Sequence, residues 1–117
     1  MAEITVTFPE GRAGSRATAL WETMDGGDTG EWIELLDFND NTVTVSGTFD
    51  SNTLTMQGAN LADKSDAFTL TDNNGLSIAL TAAGGKLIAE APRYIRPSLG
   101  AGASSDIDVA VELRKVR

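Results

Sequence analysis

Asp106-Ile107-Asp108-Val109-Ala110-Val111-Glu112-Leu113-Arg114 decides the fold class. Ile107, Val109, Val111 and Leu113 fall at every second position, opposed by Asp108, Ala110, Glu112 and Arg114. Side chains alternate between the two faces of a strand, so this spacing makes one apolar and one polar face. A helix would set Ile107 and Val109 about 200° apart and scatter the apolar set. The stretch therefore reads as a half-buried strand. The same period of two runs through most of the chain. It recurs at Ile4, Val6 and Phe8, at Val43 and Val45, at Leu54 and Met56, at Phe68 and Leu70, and at Leu76, Ile78 and Leu80.

Turn chemistry separates these runs. Asn39-Asp40-Asn41, Asp50-Ser51-Asn52 and Asp72-Asn73-Asn74-Gly75 carry residues that cap their own backbone or tolerate positive φ. Thr42–Phe49 and Thr53–Gln57, joined by three turn residues, predict a β-hairpin. A second hairpin is predicted around residues 72–75, and Ala82-Ala83-Gly84-Gly85 predicts a turn before Lys86–Glu90. Trp32–Phe38 reads as one strand near the core. Gly47, inside a strand, points to a bulge or a close backbone approach. Arg93–Arg96, bracketed by Pro92 and Pro97, is expected at a sheet edge or at the start of a strand, because proline donates no ladder bond. Ser98–Asp106 reads as a mobile loop. Ala17–Met24 fits two patterns, Leu20 with Met24 as a helical turn or Ala19 with Trp21 as a strand, and the extended form is preferred. Eight to ten short strands, with turns every eight to twelve residues, predict an all-β, antiparallel β-sandwich of jelly-roll-like type. Residues 1–117 are read as one such domain, with 9–31 a flexible arm or loop region.

The 117 residues include 9 Lys and Arg, 17 Asp and Glu, no His and no Cys. Without cysteine there is no disulfide scaffold, thiolate metal site or thiol nucleophile. Without histidine the usual general base and the commonest zinc ligand are missing. No G-x-S-x-G or Walker motif occurs, and no carboxylate pair stands out for glycoside hydrolysis. The expectation is a protein that is not an enzyme, with no catalytic residue, metal or cofactor. No apolar run approaches the ~20 residues of a membrane span, so no membrane partner is expected.

The charge is uneven. Residues 1–58 carry 10 acidic and 2 basic side chains, whereas 59–117 carry 7 of each. An acidic field repels phosphate backbones, so nucleic acid is not an expected partner. Asp25-x-x-Asp28-x-x-Glu31 and Asp37-x-Asn39-Asp40 offer hard oxygen ligands for calcium, but neither has EF-hand spacing, and such turns form without metal. Trp21, Trp32 and Tyr94 could form a sugar-stacking platform, or serve as core and contact anchors. Arg93, Arg96, Arg114, Lys115 and Arg117 are either edge protection or a docking surface for an acidic partner. The residues singled out for partner binding are Arg12, Arg16, Trp21, Arg93, Tyr94 and Arg96.

From Phe38 onward the chain resembles a family of small tailed-bacteriophage virion structural proteins of the capsid cement or decoration type. Three pieces of β sequence, 42–49, 53–58 and 70–75, carry part of the likeness. The more telling pieces are Ile88-Ala89-Glu90-Ala91-Pro92-Arg93-Tyr94-Ile95-Arg96-Pro97 and the closing strand 106–114. Members often have Ser-Asn-Asp after the Gln-Gly, where this chain has Ala59-Asn60-Leu61-Ala62-Asp63. The resemblance implies a protein on the outer capsid surface of the virion. It would bind the major capsid protein, stabilise contacts between its subunits and form a homo-oligomer, a dimer or trimer. The flexible Pro9–Arg16 segment, with its isolated Arg12 and Arg16, would order against the major capsid protein while the β body projects outward. Two alternatives remain at this point: a tail, neck or fibre component, and a carbohydrate-binding β-sandwich module.

Overall fold

The alternation of residues 106–114 is realised as a strand whose Ile107, Val109, Val111 and Leu113 are fully buried. It lies inside a sheet, with partners on both sides. The computed structural model describes residues 2–9, 11, 15–100 and 105–115. These form eleven strands and no helix: β1 Glu3–Ile4, β2 Arg16–Met24, β3 Thr29–Gly30, β4 Ile33–Glu34, β5 Asp40–Thr48, β6 Leu54–Ala59, β7 Phe68–Thr69, β8 Ala79–Leu80, β9 Gly84–Ile88, β10 Tyr94–Leu99 and β11 Asp106–Arg114. The fold is an all-β sandwich. One sheet has the order β2-β11-β5-β9; the other runs β1-β3-β10-β6-β7, with β4 also on β10 and β8 also on β6. Every pairing between named strands is antiparallel except β1 with β3, which is parallel.

The two inner faces meet in one core. Trp21, Met24, Val43, Val45 and the four apolar residues of β11 come from the four-stranded sheet. Ile33, Leu54, Met56, Leu70, Ile78, Ile95 and Leu99 come from the other. Facing sheets of alternating residues bury side chains that neither sheet could cover alone.

Several expectations need correction. The Thr42–Phe49 and Thr53–Gln57 runs do not form a hairpin, because β5 and β6 lie in different sheets. The turn between them, with Asp50 and Ser51 at φ 48 and 68, carries the chain across the core. Both runs have the right alternation, but each pairs with a distant strand. Gly84 and Gly85 belong to β9 rather than to a turn, and Ser98 and Leu99 belong to β10. Trp32–Phe38 is broken into the short β4 and a turn by Leu36, at φ 57. The 72–75 turn does close a narrow hairpin, with Ile78 N donating to Leu70 O at 2.9 Å.

Residues 9–31 were expected as a flexible arm or loop. Their stretch 16–24 is instead the nine-residue β2, paired along its length with β11. The sequence ambiguity there comes from a β-bulge. Thr23 sits at φ 59, its N–H donates to Asp108 Oδ1 at 2.9 Å, and the register shifts between Ile107 and Val109. The extra residue turns Met24 back into the core after Ala17, Ala19 and Trp21, so a strand acquires helix-like spacing. Residues 2–8 also pack on the body. Thr29 N donates to Ala2 O, Glu31 N to Ile4 O, and Thr7 exchanges backbone bonds with Leu20. Asp28 Oδ1 accepts from Ala2 N and Glu31 Oε1 from Val6 N. The segment is thus a strap from the seven-stranded sheet to the edge of the four-stranded one, with Ile4, Val6 and Phe8 half-buried against the core.

Arg93–Arg96 stands at the start of a strand, one of its two expected places, but that strand, Tyr94–Leu99, is inner and not an edge. Pro97 is tolerated for a geometric reason. Backbone N–H groups point to alternate sides along a strand, and Leu99 N donates to Asp28 O on the β3 side. Pro97, two residues earlier, faces that same side, where the neighbour is interrupted between Gly30 and Ile33. The missing N–H has no ladder partner to lose. A Cβ on Gly30 would come within 2.6 Å of Pro97 Cδ and 2.8 Å of Trp21 Cδ1, so only glycine lets the proline ring and the indole close on the backbone there.

A candidate docking end and outer face

β10 points Ile95, Pro97 and Leu99 inward and leaves Tyr94, Arg96 and Ser98 on the outer face of the seven-stranded sheet. Beside them on β6 lie Ala59, Gln57 and Thr55, by register. Arg96 Nε donates to Gln57 Oε1 at 2.8 Å, and its guanidinium lies 4.5 Å from the centre of the Trp32 ring. A cation over an aromatic face is held by the ring's negative quadrupole. Arg96 makes no ion pair among the described residues, and burial pushes its pKa down from the usual arginine range, partly offset by Glu3.

Arg93 ties three connections together. Its carbonyl accepts from Leu35 N at 2.8 Å, its N–H donates to Asn60 Oδ1 at 3.1 Å, and its Nε bonds Glu34 Oε2 at 2.9 Å. The Glu34 carboxylate raises the Arg93 pKa. The turn carrying Leu36 and the loop carrying Leu61 therefore flank Arg93 and Tyr94. Both leucines are unusually open for their type, at 65% and 53% exposure. Loop 60–67 is held in shape from within: Asp66 accepts from Asn60 N and Leu61 N, and Asp63 from Ser65 N. That loop brings Lys64 Nζ to 4.2 Å from the Tyr94 ring centre. One end of the sheet thus combines exposed leucines, a tyrosine and two cations. Among the described residues no cavity opens and no group of three or more metal-ligating side chains forms.

The sequence-selected residues divide. Arg93, Tyr94 and Arg96 come together here. Arg12 lies outside the described residues. Arg16 is on the other sheet, where Nη2 meets Glu112 Oε2 at 2.7 Å; Thr18 Oγ1 and Arg16 together hold the Glu112 pKa below the usual range. Trp21 is not a contact residue in the folded chain. Its side chain is fully buried, with Nε1 donating to Glu31 O at 3.1 Å. It also cannot join Trp32 and Tyr94 in a sugar platform. The first acidic turn caps backbone: Asp25 Oδ1 accepts from Gly26 N and Ser105 N, and Asp28 from Ala2 N and Asp25 N; in the second, Asp37 and Asp40 meet Lys115 Nζ and Arg114 Nη2 at 3.3 and 2.7 Å. Lys64, Gln57, Leu36 and Leu61 were not singled out by the sequence. They reach the site through sheet register and loop closure, and no local motif marks them.

No protein-family model matches the sequence, and neither does any curated protein. Solved structures do match in fold. They include the SPBc2 prophage-derived protein YomS, with a TM-score of 0.59 and 9% identity over 89% of this chain and 99% of that one. A cupin domain from Bordetella pertussis gives 0.50 and 12%, covering 97% and 98% of the two chains. An uncharacterized conserved protein with a double-stranded β-helix domain from Klebsiella pneumoniae gives 0.50 and 14%, covering 96% and 77%. At these identities the likeness is one of architecture: the chain is an all-β, jelly-roll-type sandwich, a fold it shares with a prophage protein and with cupin domains.

Proposed function

We propose that this protein is a virion structural protein of a tailed phage, a capsid cement or decoration protein. It docks on the outer surface of the head and reinforces contacts between major capsid protein subunits, without catalysing a reaction. The observation that carries the reading is where the most telling family-like stretch falls. Residues 88–97 run from the last residue of β9 into the first four of β10, and their Arg93 and Tyr94 stand at the end where Leu36 and Leu61 are exposed. An apolar, aromatic and cationic end on a filled, rigid body suits attachment to another protein. The fold shared with a prophage-derived protein agrees with this reading. Residues 2–8 pack on the body, so the folded end is taken as the docking unit; of the Pro9–Arg16 segment expected to order on the shell, residues 10 and 12–14 lie outside the described residues.

The test uses heads assembled from the major capsid protein of the same phage with this protein withheld. Added protein should bind saturably, appear by cryo-electron microscopy as density on the outer surface, and raise the temperature at which heads rupture. Leu61→Ser combined with Tyr94→Ala should cut occupancy at least tenfold while the free protein's melting temperature moves little. Density confined to tail or neck, or none on heads, overturns the proposal.

A further inference from the structure

The described charges are segregated along the molecule. At the end where β2 and β6 meet the 49–52 turn and the start of β11, the carboxylates are Glu22, Asp25, Asp28, Asp50, Asp106 and Asp108. No described Lys or Arg lies there. Arg16, Arg114 and Lys115 are at the far end of β2 and β11, and Lys64 and Arg93 flank the start of β10. Arg96 and Lys86 are mid-strand, in register with Gln57 and Val43. Asp25, Asp28 and Asp108 bind backbone N–H groups. Glu22, Asp50 and Asp106 are exposed and make no ion pair among the described residues.

The cations show the converse. Arg16, Lys86, Arg93, Arg114 and Lys115 each meet a carboxylate within 4 Å. Arg96 and Lys64 do not, and both lie on the outer face of the seven-stranded sheet, against Trp32 and Tyr94. Gln57 and the Trp32 ring fix the Arg96 guanidinium plane, and among the described residues no carboxylate pairs with its terminal N–H groups. A partly desolvated guanidinium in a set orientation is a seat for a carboxylate, which it can bind through two parallel bonds.

We propose that a second copy of this chain supplies that carboxylate. The acidic end of one copy, through Asp50 and Asp106, docks on the Trp32–Arg96 face of the next. The contact joins unlike patches, so it can be satisfied reciprocally in a two-fold pair or around a closed ring. It uses the mid-strand Arg96 rather than the leucines at the start of β10, and it is measured on the free protein, so either reading can fail alone.

Sedimentation and light scattering from about 1 μM to about 1 mM should show reversible association, weaker in high salt. Arg96→Glu should raise the dissociation constant at least tenfold, and so should Asp50→Arg combined with Asp106→Arg. Mixing the two variants should restore association, since each then offers the other complementary charge. Recovery on mixing also shows that both variants are folded. A wild-type protein that stays monomeric throughout, charge reversals that leave association unchanged, or a mixture that does not recover would each overturn the proposal.

Discussion

Gly47 offers a direct check on how β5 and β11 approach each other. It pairs with Ile107 at φ 116, and a Cβ there would collide with the backbone carbonyl of Asp106. Gly47→Ala therefore combines two penalties. An L-residue held in that backbone region costs about 1–3 kcal/mol. The collision is with main chain in a strand fixed by β2 on one side and β5 on the other, so relief means displacing a ladder; overpacking of this sort costs about 1–3 kcal/mol. The sum is about 2–6 kcal/mol, a large share of the roughly 5–15 kcal/mol that holds a typical domain. At about 4 °C per kcal/mol for a chain of this size, it lowers the melting temperature by about 8–24 °C.

Three other glycines separate the contributions. At Gly75, φ is 79 with open space around the Cβ position, so Gly75→Ala carries the backbone penalty alone, about 1 kcal/mol. Gly30→Ala carries only the overlap with Pro97 and Trp21. Gly84→Ala meets nothing and should be near neutral, within about 0.5 kcal/mol. Urea unfolding followed by tryptophan fluorescence reads all four, because Trp21 moves from full burial to solvent. A Gly47→Ala protein no less stable than Gly75→Ala would refute the close approach of β5 and β11.

Other consequences are simpler to state. Trp21→Ala should cost about 3–5 kcal/mol, read by far-UV circular dichroism in urea because the variant lacks the buried fluorophore; it empties the core and leaves the Glu31 carbonyl without its donor. Removing residues 2–8 should lower stability by about 3 kcal/mol, since Ile4, Val6 and Phe8 each lose a half-buried contact; a thermal melt unchanged by the deletion would refute the strap. Arg16→Ala should cost no more than about 1 kcal/mol, less in salt, because the Arg16–Glu112 pair is on the surface. Acid should destabilise the fold through Asp25, Asp63, Asp72 and Glu112, whose folded pKa values are all lowered. The main causes are backbone N–H donors for the aspartates and the Thr18 hydroxyl for Glu112. Their stabilisation is full above the unfolded values near about 4 and is lost as pH falls through the lower folded ones. Glu112→Gln should flatten that acid limb in a pH series of urea midpoints.

Fold class was legible because the alternation of β11 admits no helix and recurs in the strands around it. Pairing was not legible. The runs at 42–49 and 53–57 have hairpin spacing, yet Phe49 and Asn52 are buried as the chain passes between sheets. Alternation says which face is inside and nothing about which strand lies alongside. Ala17–Met24 was ambiguous because a bulge shifts phase without a glycine or proline to announce it. Proline at 97 suggested an edge, and only the break between β3 and β4 shows why an inner strand accepts it. Of the site, Arg93, Tyr94 and Arg96 were readable from a compact local run. Lys64 and Leu61 reach it through a loop closed by Asp66, and Leu36 through a turn beside Arg93; these are long-range placements that no short window encodes. Trp21 misled because an indole suits both a core and an interface, and the choice depends on the register of its strand.

The place of β11 between β2 and β5 bears on the protein's birth at the ribosome. A nascent chain that has emerged only as far as Gly100 already displays both flanking strands but lacks the one that joins them. Their apolar faces must wait in solution, and a chaperone or an early-folding β10–β6 layer would have to shield them until the final segment arrives.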